Sequence, residues 1–165
     1  MASGRGFWGM SGETSKTALP ELLGAKPDGY AGDVSPQEAW NVLSENSDAV
    51  LVDVRTMPEW NFVGISDLDS LSKTPVFEEW QSFPTMRVNE NFVASVATKI
   101  SSQDAPVLFL CRSGARSRAA AIAMTAQGFS HAYNISGGFE GDLDEARHRS
   151  NRNGWKAAGL PWKQG

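Results

Sequence analysis

The stretch Val107-Leu108-Phe109-Leu110-Cys111-Arg112-Ser113-Gly114-Ala115-Arg116-Ser117-Arg118-Ala119-Ala120-Ala121-Ile122-Ala123 decides the reading of this chain. The opening apolar run has the length and composition of a buried strand. The closing alanines favour helix. Between them lies a tight polar loop that opens on Cys111, the only cysteine in the sequence. In such a strand–loop–helix unit the loop N–H groups and the helix N-terminus converge on one site. That site stabilises anions and favours thiolate over thiol. Arg112 and Arg116 add fixed positive charge and forked donors that suit a planar or tetrahedral oxyanion. Ser113 and Ser117 add hydroxyls, and Gly114 permits sharp curvature. A cysteine at a strand end is by default a small buried hydrophobe. Here the strand, loop, arginines and helix around it point to a nucleophile instead.

Working outward, strands alternate with helices. Ser35-Pro36-Gln37-Glu38 reads as a helix start, with a serine cap, proline in the first turn and glutamate three residues after the cap. Ala49–Val54 and Pro106–Leu110 read as buried strands, and Ala132–Ile135 as a third. Met57–Val63 reads as a short helix carrying Trp60. Asn89–Ser101 has a helical stripe of Phe92, Val93, Val96 and Ile100. Arg116–Gln127 is the alanine-rich helix, stopped by Gly128. Residues 64–88 read as a loop with one or two helical turns. Helices are expected around Phe139–Arg147 and over Asn153–Ala158. The alternation predicts an α/β fold with a small parallel sheet flanked by helices on both faces. Ligands of such sheets bind beyond the carboxyl ends of the strands, where Cys111 falls.

Composition sets the class. The chain has 165 residues, 41% hydrophobic and 21% charged, with a net charge of −4. That is an ordinary single-domain composition, and it argues against a nucleic-acid surface. No apolar run approaches the ~18–20 residues that span a bilayer, and the start has no signal-like apolar segment. A lone cysteine needs no oxidising compartment, so a cytoplasmic location is expected. Residues 1–30, rich in Gly, Ser, Thr, Lys and Pro, read as a flexible tail before a domain over 31–165. Arg147, His148, Arg149 and Arg152 read as a solvated face paired with Asp142, Asp144 and Glu145. One cysteine and two scattered histidines offer no metal-ligand spacing, and no phosphate-binding or hydrolase motif is present. No cofactor is expected.

Several separate segments together resemble the rhodanese family. Leu51-Val52-Asp53-Val54-Arg55 with nearby Glu59 resembles the family's first strand and the acidic position after it. Leu108 to Ala120 resembles the active-site loop and helix. Gly128-Phe129, Tyr133-Asn134-Ile135 and Gly137-Gly138-Phe139 resemble the closing strand and turn. Gly154-Trp155 with Ala158-Gly159-Leu160-Pro161 resembles the C-terminal signature. The resemblance spans roughly residues 33 to 162. It implies a rhodanese-like fold and sulfane-sulfur transfer, with Cys111 forming a persulfide in a loop of Arg112, Ser113, Gly114, Ala115, Arg116 and Ser117. The chain departs from many members at Gly64-Ile65-Ser66-Asp67-Leu68, which lacks their histidine and proline and gives one pocket wall its own shape.

Four residues separate Cys111 from Arg116. Related dual-specificity phosphatases place one more in that gap, which makes room for phosphate. The shorter loop therefore favours sulfur transfer over a phosphatase or arsenate-reductase activity. The expected partners are a sulfur donor such as thiosulfate or a persulfide, and a thiol or cyanide acceptor. A sulfur-relay protein is a further partner under the alternative reading, a persulfide carrier or sensor. Neither a nucleic acid nor a membrane is expected. Arg55 is expected to pair with Glu59 or another acid in a structural role. Trp60, Trp80 and Phe83 are divided between core packing and the pocket mouth.

Overall fold

A computed structural model describes residues 29–165. The expected tail lies outside the described residues except at its last two positions, where Tyr30 is buried. Among the described residues, β1 (Gly32–Val34) leads into α1 (Pro36–Glu45) and β2 (Val50–Asp53). A π-helical turn (Glu59–Val63), β3 (Ile65–Ser66), a 3-10 turn (Asp69–Leu71) and β4 (Val76–Phe77) follow. Then come β5 (Gln81–Ser82), β6 (Arg87–Val88), α2 (Phe92–Ala97), β7 (Val107–Leu110), α3 (Ala115–Ala126), β8 (Ala132–Ile135) and β9 (Trp162–Lys163).

The main sheet is parallel throughout, in the order β1-β8-β7-β2-β4. Successive side chains on a strand point to opposite faces, and both faces are apolar here. Leu51, Leu108, Leu110, Tyr133 and Ile135 meet Ala39, Val42 and Leu43 of α1 on one side. Val52, Val107, Phe109 and Ala132 meet Phe92 and Val96 of α2 and Ala120, Ala121 and Met124 of α3 on the other. This is the α/β sandwich expected, and it explains why all four residues of β7 are apolar: they are buried on both faces. The α1 cap forms as its sequence requires. Ser35 accepts from the Glu38 N–H while the Glu38 carboxylate accepts from the Ser35 N–H.

Residues 64–88 hold more strand than expected. Val76-Phe77 adds the edge strand β4 beside β2, and β5 and β6 form a small antiparallel pair. The two C-terminal helices do not form. Residues 139–147 and 153–158 are turns and bends, with positive φ at Gly141, Arg147 and Gly154. Their N–H groups are spent elsewhere. Phe139 N–H donates to the Cys111 carbonyl at 2.7 Å, and those of Glu140 and Gly141 donate to Arg112 at 3.0 and 3.1 Å. In turn Trp155 and Lys156 donate to the carbonyls of Gly138 and Phe139. The interior donors that a helix over 139–147 would turn on itself also go elsewhere: the Asp144 N–H donates to the His148 carbonyl and that of Ala146 to the Asp144 carboxylate. Trp155, fully buried, pins the outer layer and donates its indole N–H to Pro161. The basic cluster is thus a loop. Arg149 donates to the Gly141 carbonyl, and Asp144 accepts from the backbone of Ala146 and His148 and from Asn151.

Candidate functional site

Cys111 follows β7, the middle strand of the sheet, at its carboxyl end. The carbonyls of Cys111 and Arg112 are held from behind by residues 139–141. Gly138 closes that contact, because a Cβ there would lie within 2.6 Å of the Arg112 carbonyl group. The loop then curves at Gly114, φ +120°, into α3. Its curvature turns the Gly114 N–H back onto the sulfur, 3.1 Å from Cys111 Sγ. Ser117, on the first turn of α3, places Oγ 3.1 Å from Sγ. The cysteine is 1% exposed.

The seven expected site residues occupy one loop and helix start, with different surroundings. Arg112 and Ala115 are exposed, whereas Ser113, Gly114 and Arg116 are half-buried and Ser117 is buried. Arg116 does not stand alone. Its Nη1 and Nη2 donate to the two oxygens of Glu59 at 2.8 and 3.0 Å. Glu59 also accepts from the backbone N–H and hydroxyl of Thr56. Burial alone would raise the Glu59 carboxyl. The Arg116 bonds and charge, with the Thr56 donors, outweigh it and lower the pKa from 4.5 to about 2. Burial likewise works against the Arg116 cation, but Glu59 raises its pKa, helped by the charges of Cys111 and Asp53. Glu59 is thus the acid of the loop arginine rather than of Arg55.

Arg55 pairs with Asp53 instead. Nε and Nη2 donate to the two carboxylate oxygens at 2.9 and 2.7 Å, Nη2 also donates to the Gly64 carbonyl, and the guanidinium lies 4.3 Å over Phe139. Both side chains are almost fully buried, so the pair ties β2 to the turn behind the loop. Trp80 packs edge-on to Phe92 and Trp60 to Phe77, while Phe83 is 54% exposed. A cavity of about 400 Å³ is lined by Trp60, Asn61, Ile65, Phe77, Lys163 and Gln164 and includes no residue of the cysteine loop. Among the described residues no group of three or more His, Cys, Asp and Glu side chains is placed to hold a metal.

Sequence reasoning missed two residues beside the site. Asn134 of β8 puts Oδ1 2.5 Å from Ser117 Oγ, and its Nδ2 donates to Asp33 of β1 at 3.0 Å. No local feature of the sequence marks them: Asp33, Asn134 and Phe109 are aligned across β1, β8 and β7 only once the sheet forms.

The chain resembles known proteins along most of its length. The family model described as the STR4 middle domain matches residues 31–165. The protein RC0915 of Rickettsia conorii is 42% identical over 76% of this chain and 92% of its own. The thiosulfate sulfurtransferase GlpE of Glaesserella parasuis is 30% identical over 66% of this chain and 83% of its own. Among solved structures, Rv0390 from M. tuberculosis superposes with a TM-score of 0.75 at 49% identity, covering 82% of this chain and 99% of that one. A polysulfide-sulfur transferase homodimer of Wolinella succinogenes shares the fold, with a TM-score of 0.53 at 23% identity over 81% and 78% of the two chains. A parallel five-stranded sheet with a single thiol at the end of its middle strand, backed by two tiers of turn, is the rhodanese-like fold, and the chain belongs to the STR4 middle-domain family.

Proposed function

We propose that this protein is a rhodanese-type sulfurtransferase of the cytoplasm, and that Cys111 carries the sulfur. The observation that carries the reading is the Gly114 N–H aimed at Sγ from a loop whose carbonyls are tied away behind it. Such a loop offers N–H groups to negative charge that develops at the sulfur. The thiosulfate sulfurtransferases among the relatives support it. In the first step the Cys111 thiolate attacks the outer sulfur of thiosulfate. The S–S bond of the donor breaks, sulfite leaves with the electron pair, and Cys111 holds a persulfide. In the second step a nucleophile, cyanide in an assay or a thiol in a cell, attacks the outer sulfur and the Cys111 thiolate is released. The sequence has no second cysteine, so the sulfur must pass to another molecule, and ping-pong kinetics follow. Arg112, Ser113, Gly114, Ala115, Arg116 and Ser117 form the cradle. Arg116 contributes its charge while held by Glu59. The short loop and the buried sulfur suit a single-atom cargo rather than a phosphate ester.

A second reading, a persulfide carrier that docks on a protein, draws on Met57 and Phe62. They are 58% and 79% exposed on either side of Glu59, the acid that holds Arg116. Both readings are tested by treating the reduced protein with thiosulfate and taking an intact mass, with Cys111→Ser as control. A gain of about 32 Da only in the unmutated protein, released by cyanide, supports sulfur transfer. A gain only with a protein persulfide supports the carrier. No gain with thiosulfate, glutathione persulfide or a protein persulfide overturns both.

A further inference from the structure

A hydrogen-bond chain runs behind the sulfur, away from the loop. Tyr30 Oη donates to Asp33 Oδ1 at 2.7 Å, and Asn134 Nδ2 donates to the same oxygen at 3.0 Å. Asn134 Oδ1 faces Ser117 Oγ at 2.5 Å, and Ser117 Oγ faces Cys111 Sγ at 3.1 Å. Asp33 is exposed on the edge strand, whereas Asn134, Ser117 and Cys111 are buried. The chain therefore connects the surface to the nucleophile through the face of the sheet that α3 covers.

The count of protons gives the chain a direction. An ionised Asp33 only accepts, so Asn134 must turn its nitrogen to Asp33 and its oxygen to Ser117. Ser117 has one hydroxyl proton and two neighbours that want it. If the proton points to Asn134, Sγ is satisfied by keeping its own proton and donating it to Ser117 Oγ. If Sγ is a thiolate and takes the hydroxyl proton, two oxygens are left facing one another 2.5 Å apart with no proton between them. Turning Asn134 round only moves the conflict, because its oxygen then faces the Asp33 carboxylate.

We propose that Asp33 and Asn134 are positioning residues that commit the Ser117 hydroxyl to Asn134 and so hold the resting Cys111 as the thiol. The inference rests on the reading of Cys111 as the nucleophile and gives that site a restraint. A persulfidated Sγ has lost its proton and its full charge to the outer sulfur, and asks nothing of Ser117. The chain thus suits the thiol before sulfur uptake and the persulfide after it, and opposes only the free thiolate between. Arg116, on the first turn of α3 and paired with Glu59, acts on the sulfur with the opposite sign. The two influences set how much of the reactive form is present.

The test is the rate at which iodoacetamide alkylates Cys111 in the reduced protein at pH 7, followed by intact mass. The thiolate attacks carbon, the C–S bond forms and iodide leaves, so the rate follows the thiolate population. In D33N the introduced amide donates to Asn134 Oδ1, Asn134 donates to Ser117 Oγ, and the hydroxyl proton passes to sulfur with every bond kept. Alkylation is expected to rise about fivefold, the effect of one ordinary hydrogen bond of ~1 kcal/mol. N134A, which changes no charge, is expected to rise as well. D33N also removes a negative charge, which alone favours a thiolate, so D33N/S117A is compared with S117A. The chain requires that the acceleration vanish there. No acceleration in D33N, an acceleration that survives in D33N/S117A, or a rate in natively folded N134A no higher than wild type overturns the proposal. Asp33 lies at the surface, so D33N decides the matter even where N134A does not fold. The readout uses no sulfur donor, so it fails or succeeds independently of the thiosulfate test.

Discussion

Replacing Glu59 by glutamine keeps the shape of the side chain and removes the charge that holds Arg116. The carboxylate accepts from both Arg116 nitrogens, at 2.8 and 3.0 Å, and from two donors of Thr56. The two side chains are 18% and 19% exposed, so the pair lies between a surface bridge and a buried one. A carboxyl lowered from 4.5 to about 2 corresponds to about 3 kcal/mol, and the residual solvent contact reduces this to about 2 kcal/mol. E59Q is therefore expected to lose about 2 kcal/mol at pH 7, near 5 °C in Tm for a chain of this size. The sign of the pH dependence follows from the lowered pKa. The stabilisation is complete above about pH 4.5 and is lost as the pH falls through about 2, below which Glu59 is protonated in the folded and unfolded chain alike. Urea unfolding of both proteins at pH 7, 5, 4 and 3 reads the margin directly. A margin that stays constant down to pH 3 refutes the charge argument. No margin at pH 7 refutes the claim that the pair stabilises the loop.

Two further substitutions probe the supports behind the cysteine. G138A places a Cβ against the Cys111 and Arg112 carbonyls at φ +61°. Its neighbours are backbone, so it is expected to cost about 3 kcal/mol and to abolish Cys111 persulfide formation, and a folded, active G138A contradicts the two-tier backing. R55M leaves Asp53 buried without its cation, a loss of about 3–5 kcal/mol in urea unfolding. The double variant D53N/R55M should recover more than half of that, and a single-variant loss below about 1 kcal/mol shows that the pair is not structural.

What was legible in the sequence was whatever declares itself locally. Four apolar residues before a polar loop and an alanine-rich run identify β7, the Cys111 loop and α3 without help from the rest of the chain. The serine–glutamate box does the same for α1. The acid partners were harder. Glu59, four residues after Arg55, has the spacing of a helical pair, but Arg55 leaves a strand, where the neighbour on the same face is two residues away. That residue is Asp53, and Glu59 is left for Arg116, which is 57 residues distant. Asn134 and Asp33 are 101 residues apart in sequence and meet only because β1 lies parallel to β8.

The two helices that failed to form have the most instructive cause. Residues 139–147 and 153–158 carry tolerable helical sequence, but Gly141, Arg147 and Gly154 take positive φ and the Asp144 N–H turns to the His148 carbonyl, so the chain forms turns whose free donors reach the carbonyls of Cys111 and Arg112. Residues 139–141 give their N–H groups to those carbonyls, and Trp155 and Lys156 give theirs to Gly138 and Phe139. Each peptide unit of the loop whose carbonyl is fixed backward has its N–H constrained as well, because the peptide is planar. The segments that read worst as local structure therefore set the direction in which the cysteine loop can present its donors. For the same reason a defect at Gly138 or Trp155, behind the loop rather than in it, is expected to be felt first at Cys111.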